Sequence, residues 1–145
     1  MIGAVRLAGF VALLLAGVQL TTLSFAGADD GKLATDEIVR TEMKTIRDLT
    51  LNAHTLVTHR RMPPSDAKTF HVRIKAAVER LRAGTTLDGG TRDEIENLTQ
   101  DILGGAEAVA GSNAAMTAID GILAIDEALA RYASHFDHPG WQPLR

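Results

Sequence analysis

Four stretches of the chain repeat apolar side chains at intervals of three and four residues, the period of a helix that buries one face. The repeats run from Val39 to Val57, from Phe70 to Leu81 and from Ile95 to Val109. The fourth repeat is the most regular, with predicted buried positions at Ala118, Ile122, Ile125, Leu129, Tyr132 and Phe136. Helices with short connections pack as antiparallel neighbours, so the pattern predicts an all-α, up-down-up-down four-helix bundle.

The residues between these stretches predict where the helices begin and end. Thr35 and Ser65 stand where they could cap the first and second helices, and Pro63-Pro64 separates the two. Thr91 and Glu94 form the capping-box pattern, which predicts the start of the third helix after a loop that ends at Gly90.

Two further segments interrupt or follow the helical pattern. Gly104-Gly105 weakens the third helix and predicts either a kink or a close approach of another backbone. The tail of residues 138–145 contains two prolines and cannot be regular helix. It carries Trp141, the only tryptophan, which we expect to pack over one end of the bundle.

The N-terminal segment has the composition of a secretory signal peptide. Arg6 precedes a nearly continuous apolar run from Leu7 to Leu23, and Ser24-Phe25-Ala26 follows as a small-x-small exit. We therefore predict a signal peptide of residues 1–26, with a mature protein that starts at Gly27 and is periplasmic or secreted. An uncleaved membrane anchor is the alternative. Cleavage would leave a bundle of residues 27–137 and no stable membrane span.

Charge and cysteine content narrow the function. After cleavage the chain keeps 14 basic and 18 acidic residues, a net charge of −4, which argues against a nucleic-acid partner because that partner needs a basic face. The chain of 145 residues has no cysteine. Disulfides, thiolate metal sites and covalently attached c-type haem are therefore excluded.

Common catalytic motifs are absent from the sequence. There is no glycine-rich phosphate loop, no nucleophile elbow and no pair of metal-binding histidines of the HExxH type. No glutamate is followed by a histidine three residues later, as bundle di-iron centres require. We predict that the protein is not an enzyme.

One pair of side chains could hold a haem. In this topology the start of the first helix and the end of the fourth lie side by side, which brings Met43 and His135 to one pole of the bundle. A thioether and an imidazole are an axial pair that raises the potential of haem iron. Arg131, one turn before His135, could meet a haem propionate.

The same residues resemble a known family. The segment Glu42-Met43-Lys44-Thr45-Ile46-Arg47-Asp48 is similar to the opening helix of the cytochrome b562 family, and Arg131-Tyr132-Ala133-Ser134-His135 is similar to its last helix. The resemblance implies a periplasmic electron-transfer protein that holds haem b non-covalently, with Met43 and His135 as axial ligands and a redox partner protein. It covers only the two ends of the bundle.

Two other functions remain open at this point. His54, His59 and His71 gather at the opposite pole and could bind copper or zinc, and His135 with His138 offers a second imidazole pair. Alternatively, the bundle is a ligand-free interaction or accessory protein. The Trp141 tail or the Gly104-Gly105 groove would then dock its partner.

Overall fold

The computed structural model describes residues 31–144, which form four α-helices. These are α1 (Glu37–Thr58), α2 (Pro64–Gly84), α3 (Gly89–Val109) and α4 (Ala118–His135). Each helix packs against the next one in sequence, and α1 closes the arrangement against α4. The predicted all-α four-helix bundle is confirmed, with short connections between consecutive helices.

The predicted signal peptide of residues 1–26 lies outside the described residues. Within residues 31–144, none of the helices combines the length and the apolar character that crossing a membrane demands.

The apolar stripes of the four helices meet in one core. Its largest fully buried side chains include Tyr132, Phe136, Met43, Ile46, Ile74, Leu81, Leu98, Ile102, Ile122 and Ile125. The core has two ends, which we name by what lies there. At the tail pole, α1 begins near Asp36 and α4 ends near Phe136. At the turn pole, the turn after α1 lies near Thr117 at the start of α4.

Helix α1 is capped one residue later than the sequence predicted. Asp36, not Thr35, accepts the backbone N–H of Val39 at 2.8 Å through its Oδ1. Its Oδ2 accepts from the Thr85 hydroxyl at 2.8 Å and from the Thr86 backbone N–H at 2.7 Å. Partial burial alone would raise the pKa of Asp36, but these hydrogen bonds outweigh it and lower the pKa. One carboxylate thus starts α1 and fixes the α2–α3 loop.

The starts of α2 and α3 also differ from the predictions. Ser65 lies inside the first turn of α2, because Pro64 occupies the first helical position, where a missing N–H costs nothing. Helix α3 begins at Gly89, two residues before Thr91, so the predicted box does not cap it. The capping box of this chain is at α4, where the side chains and backbones of Thr117 and Asp120 bond reciprocally.

The glycine pair in α3 does not kink the helix, which is continuous from Gly89 to Val109. It instead provides the predicted close approach of another backbone. A Cβ atom placed on Gly105 would lie 2.5 Å from the carbonyl oxygen of Gly121 in α4. A Cβ atom on Gly121 would lie equally close to the carbonyl of Gly105. Only glycine at both positions allows α3 and α4 this separation.

Replacing Gly105 by alanine should therefore lower the free energy of unfolding by about 1–3 kcal/mol, because the two helices must move apart. The adjacent Gly104 is the matched control, since a Cβ there would meet nothing within 4 Å. Gly104→Ala should stabilise the helix by about 0.5–1 kcal/mol. Urea unfolding followed by circular dichroism measures both variants. Equal effects of the two substitutions would contradict the close contact.

Candidate functional site

The three residues of the predicted haem site lie near the tail pole, but each has its own surroundings. Met43 is fully buried in the core. The side chain of His135 is 49% exposed, and its Nδ1 lies 2.9 Å from a carboxylate oxygen of Glu94 in α3. Arg131 forms an ion pair with Asp101 in α3.

The aromatic side chains of α4 occupy the interior beside His135. Tyr132 and Phe136 are fully buried and stack with their ring centroids 5.1 Å apart. Axial ligands must face each other across the flat haem. Here Met43 is enclosed by the core, while His135 lies at the surface beside α3. A haem would require this pole to rearrange, and ligation by these residues stays a prediction.

The segment that resembles the cytochrome family makes contacts of its own. Glu42 is buried and accepts two hydrogen bonds from Arg80 of α2, at 2.9 and 2.8 Å. Arg47 donates to the backbone carbonyl of Gln142 in the C-terminal tail. Glu42 and Arg47 therefore connect α1 to α2 and to the tail. These contacts explain why polar side chains occupy the two positions, and they involve no cofactor.

The histidines of the predicted metal sites are dispersed. His54 forms an ion pair with Asp126 of α4 at 2.9 Å, His59 is exposed and His71 is half-buried. His138 bonds to Tyr132. Among residues 31–144, no group of three or more histidine, aspartate or glutamate side chains is arranged to hold a metal ion.

The C-terminal segment of residues 136–144, which we call the C-terminal strap, is fastened to the start of the described chain. Leu33 donates its backbone N–H to the carbonyl of His135 and accepts from the backbone N–H of Asp137, both at 2.8 Å. The hydroxyl of Thr35 donates to the carbonyl of Asp137 at 2.6 Å. The two ends of the bundle domain therefore hold each other.

Trp141, which the sequence predicted to pack over one end of the bundle, anchors the middle of the strap against the last turn of α4. Its ring packs against Tyr132 at a centroid distance of 4.8 Å and against His138 at 5.0 Å. Burial raises the pKa of the Tyr132 phenol, so the phenol keeps its proton. The phenol donates to the Nδ1 of a neutral His138 at 2.8 Å.

A pocket of about 370 Å³ lies between the strap and α4. Its walls are mostly apolar and comprise Leu123, Leu129, Ala130, Trp141, Pro143 and Leu144, together with Asp126 and Glu127. Leu144 shares this pocket with Leu123, more than two turns before Tyr132 in α4, so the strap runs back along that helix. The buried indole nitrogen of Trp141 has no hydrogen-bond acceptor among the described residues.

The second predicted docking surface, the Gly104-Gly105 groove, is narrower than expected. Gly105 packs directly against α4, and both glycines line a surface pocket of about 330 Å³. Asp101 and Arg131 line that pocket and pair with each other across it. The close contact of α3 and α4 thus uses the glycines for packing.

Scans against protein-family models, curated proteins and solved structures each returned no match for this chain.

Haem ligation has a direct spectroscopic test. If Met43 and His135 are axial ligands, the apoprotein should bind haem one to one and give the sharp visible bands of a reduced low-spin cytochrome. His135→Ala should abolish those bands, whereas His59→Ala, at the other pole, should leave them unchanged. A titration without a saturable spectral change would end the haem hypothesis.

The strap should weaken in acid because of His138. Burial, and then the positive charge of Arg40, lower the pKa of His138 below its ordinary value of 6.5, while Asp137 opposes them. The folded state therefore prefers the neutral imidazole. The contribution of His138 to the stability of the folded state is therefore complete above pH 6.5. It is lost as the pH falls from 6.5 through the lowered pKa of His138.

Trp141 fluorescence reports this loss, since the chain has no other tryptophan. We expect the emission to shift to longer wavelength as the pH falls below 6.5 and the ring enters water. His138→Gln should remove the transition. An unchanged transition in that variant would assign the titration to another group.

Proposed function

We propose that this protein is a non-catalytic accessory protein that docks an amphipathic, basic helix of a partner protein on the face formed by α1, α4 and the C-terminal strap. The observation that best supports this proposal is the pocket beside Trp141, whose wall includes the exposed Leu123. We call this surface the α1/α4 face.

The apolar content of the face supports a protein partner. Leu51 of α1 is 46% exposed and Leu123 of α4 is 47% exposed. Each stands three residues before a member of the His54–Asp126 ion pair, so both leucines share the helix sides on which α1 and α4 meet. Exposed leucines beside an open apolar pocket are typical of an interaction surface.

The form of the pocket favours a helix over an enclosed small molecule. It is open to solvent, and the exposed Leu123 forms part of its wall. An amphipathic helix binds such a groove by placing side chains at positions i, i+3, i+4 and i+7. The indole N–H of Trp141 can donate to a polar acceptor of the incoming segment, which removes the cost of its unpaired burial.

Charge indicates a basic partner. Helix α4, the helix of the face that borders the pocket, carries three acidic side chains and one basic one. Asp126 and Glu127 line the pocket itself. Lysine or arginine flanking the apolar positions of the partner would complement this surface and speed association.

A synthetic amphipathic peptide of leucine and lysine tests the proposal through the fluorescence of Trp141. It should bind saturably, and a peptide of the same length built from leucine and glutamate should bind at least about tenfold more weakly, because its charge has the wrong sign. Leu51→Ser and Leu123→Ser should each weaken binding of the basic peptide about tenfold.

Val72→Ser is the matched control, because Val72 is 64% exposed but lies on α2. It should leave the affinity within twofold. Equal losses in the Val72 and Leu123 variants would show non-specific adsorption and contradict a defined docking face.

A further inference from the structure

The turn after α1 contains an unusual backbone conformation. Arg60 has φ of 55°, and within residues 31–144 it is the only residue other than glycine with a positive φ. Its N–H bonds to the carbonyl of Val57 at 2.9 Å, and that of Arg61 bonds to Leu56 at 2.7 Å. These bonds end the helix in a motif that glycine occupies without steric cost and that arginine destabilises.

The location of Arg60 can explain why an arginine occupies this strained position. Arg60 lines a pocket of about 420 Å³ at the turn pole. The other walls come from the ends of all four helices and are largely apolar, with Val57, Ala67, Val109 and Ile119 among them. Arg60 is the only charged residue of this lining.

The charges around the turn favour an anion. His59, Arg60 and Arg61 are consecutive and exposed, and residues 59–63 contain no acidic side chain. The closest acids in the flanking helix starts have other partners. Asp66 accepts from Ser65, and Asp120 is held in the capping box with Thr117. A carboxylate on the ligand would therefore meet the guanidinium of Arg60 without a competing acid from these positions.

We propose that the turn pole binds an aliphatic carboxylate, whose chain fills the pocket between the helix ends and whose carboxylate pairs with Arg60. This site is separate from the α1/α4 face and does not depend on it. A few polar groups at the mouth of a mostly apolar pocket are the usual composition of a small-molecule site.

Isothermal titration calorimetry with decanoate tests the site. Decanoate should bind one to one, whereas 1-decanol and decyltrimethylammonium should bind at least about tenfold more weakly, because neither offers a carboxylate to arginine. Equally tight binding of decanol would overturn the proposal, since the pocket would then select only for the alkyl chain.

The decisive variant is Arg60→Gly, for which binding and stability should change in opposite directions. Glycine relieves the positive φ, so the melting temperature should rise, while decanoate affinity should fall at least about tenfold. Arg61→Ala is the matched control from the same turn and should lower the affinity no more than about threefold, because Arg61 adds positive charge to the turn but does not line the pocket. Unchanged decanoate binding by Arg60→Gly, or a fall in its melting temperature, would overturn the proposal.

One further variant separates the two sites. Leu123→Ser, on the α1/α4 face, should leave decanoate affinity within twofold. An affinity that falls in this variant as it falls in Arg60→Gly would place decanoate on the α1/α4 face and overturn the turn-pole site.

Discussion

The contact between Gly105 and Gly121 determines the spacing of the helices. Because their backbones approach without intervening side chains, α3 and α4 form the most extensive helix contact in the bundle. The contact between α1 and α4 is the smallest of the four neighbouring pairs. The strap and Trp141 lie along α4, fastened to α1 through Arg47, and so add to the packing where helix contact is least. The candidate face therefore lies on the side of α4 where helix packing is least extensive, opposite the close contact with α3.

The strap also holds together the segments that precede α1 and follow α4. Terminal segments fray unless something holds them, and this chain has no cysteine with which to tie them covalently. Leu33 exchanges backbone hydrogen bonds with the residues at the end of α4, and Trp141 packs on Tyr132. The hydrogen bond of Tyr132 to His138 adds to this fastening, and the lowered pKa of His138 links that bond to pH.

Features that depend on a single helix, such as its buried positions, could be predicted from the sequence. Contacts between two helices could not. The period of α4 identified Tyr132 and Phe136 as core residues because burial of one face imposes that period. Predicting the contact of Gly105 with Gly121 would require the position of α3 along the axis of α4. The sequence pattern of a single helix does not contain that information. For the same reason Glu94 could not be identified from the sequence as the partner of His135. The pocket beside Trp141 is formed by a non-helical tail that has no periodicity.

The distribution of charge keeps the two proposed sites apart. The turn of residues 59–63 carries Arg60 and Arg61 and no acidic side chain, whereas α4 carries three acidic side chains and one basic one. An anionic ligand is therefore attracted to the turn pole, and a basic helix is attracted to α4. Along α4, Ile119 of the turn-pole pocket precedes Asp126 of the pocket beside Trp141 by seven residues, or about 10 Å. Charges at this separation are largely screened, since the Debye length is about 8 Å at physiological ionic strength. Coupling between the sites would therefore pass mainly through the packing of α4 itself, which Gly105 and Gly121 hold against α3.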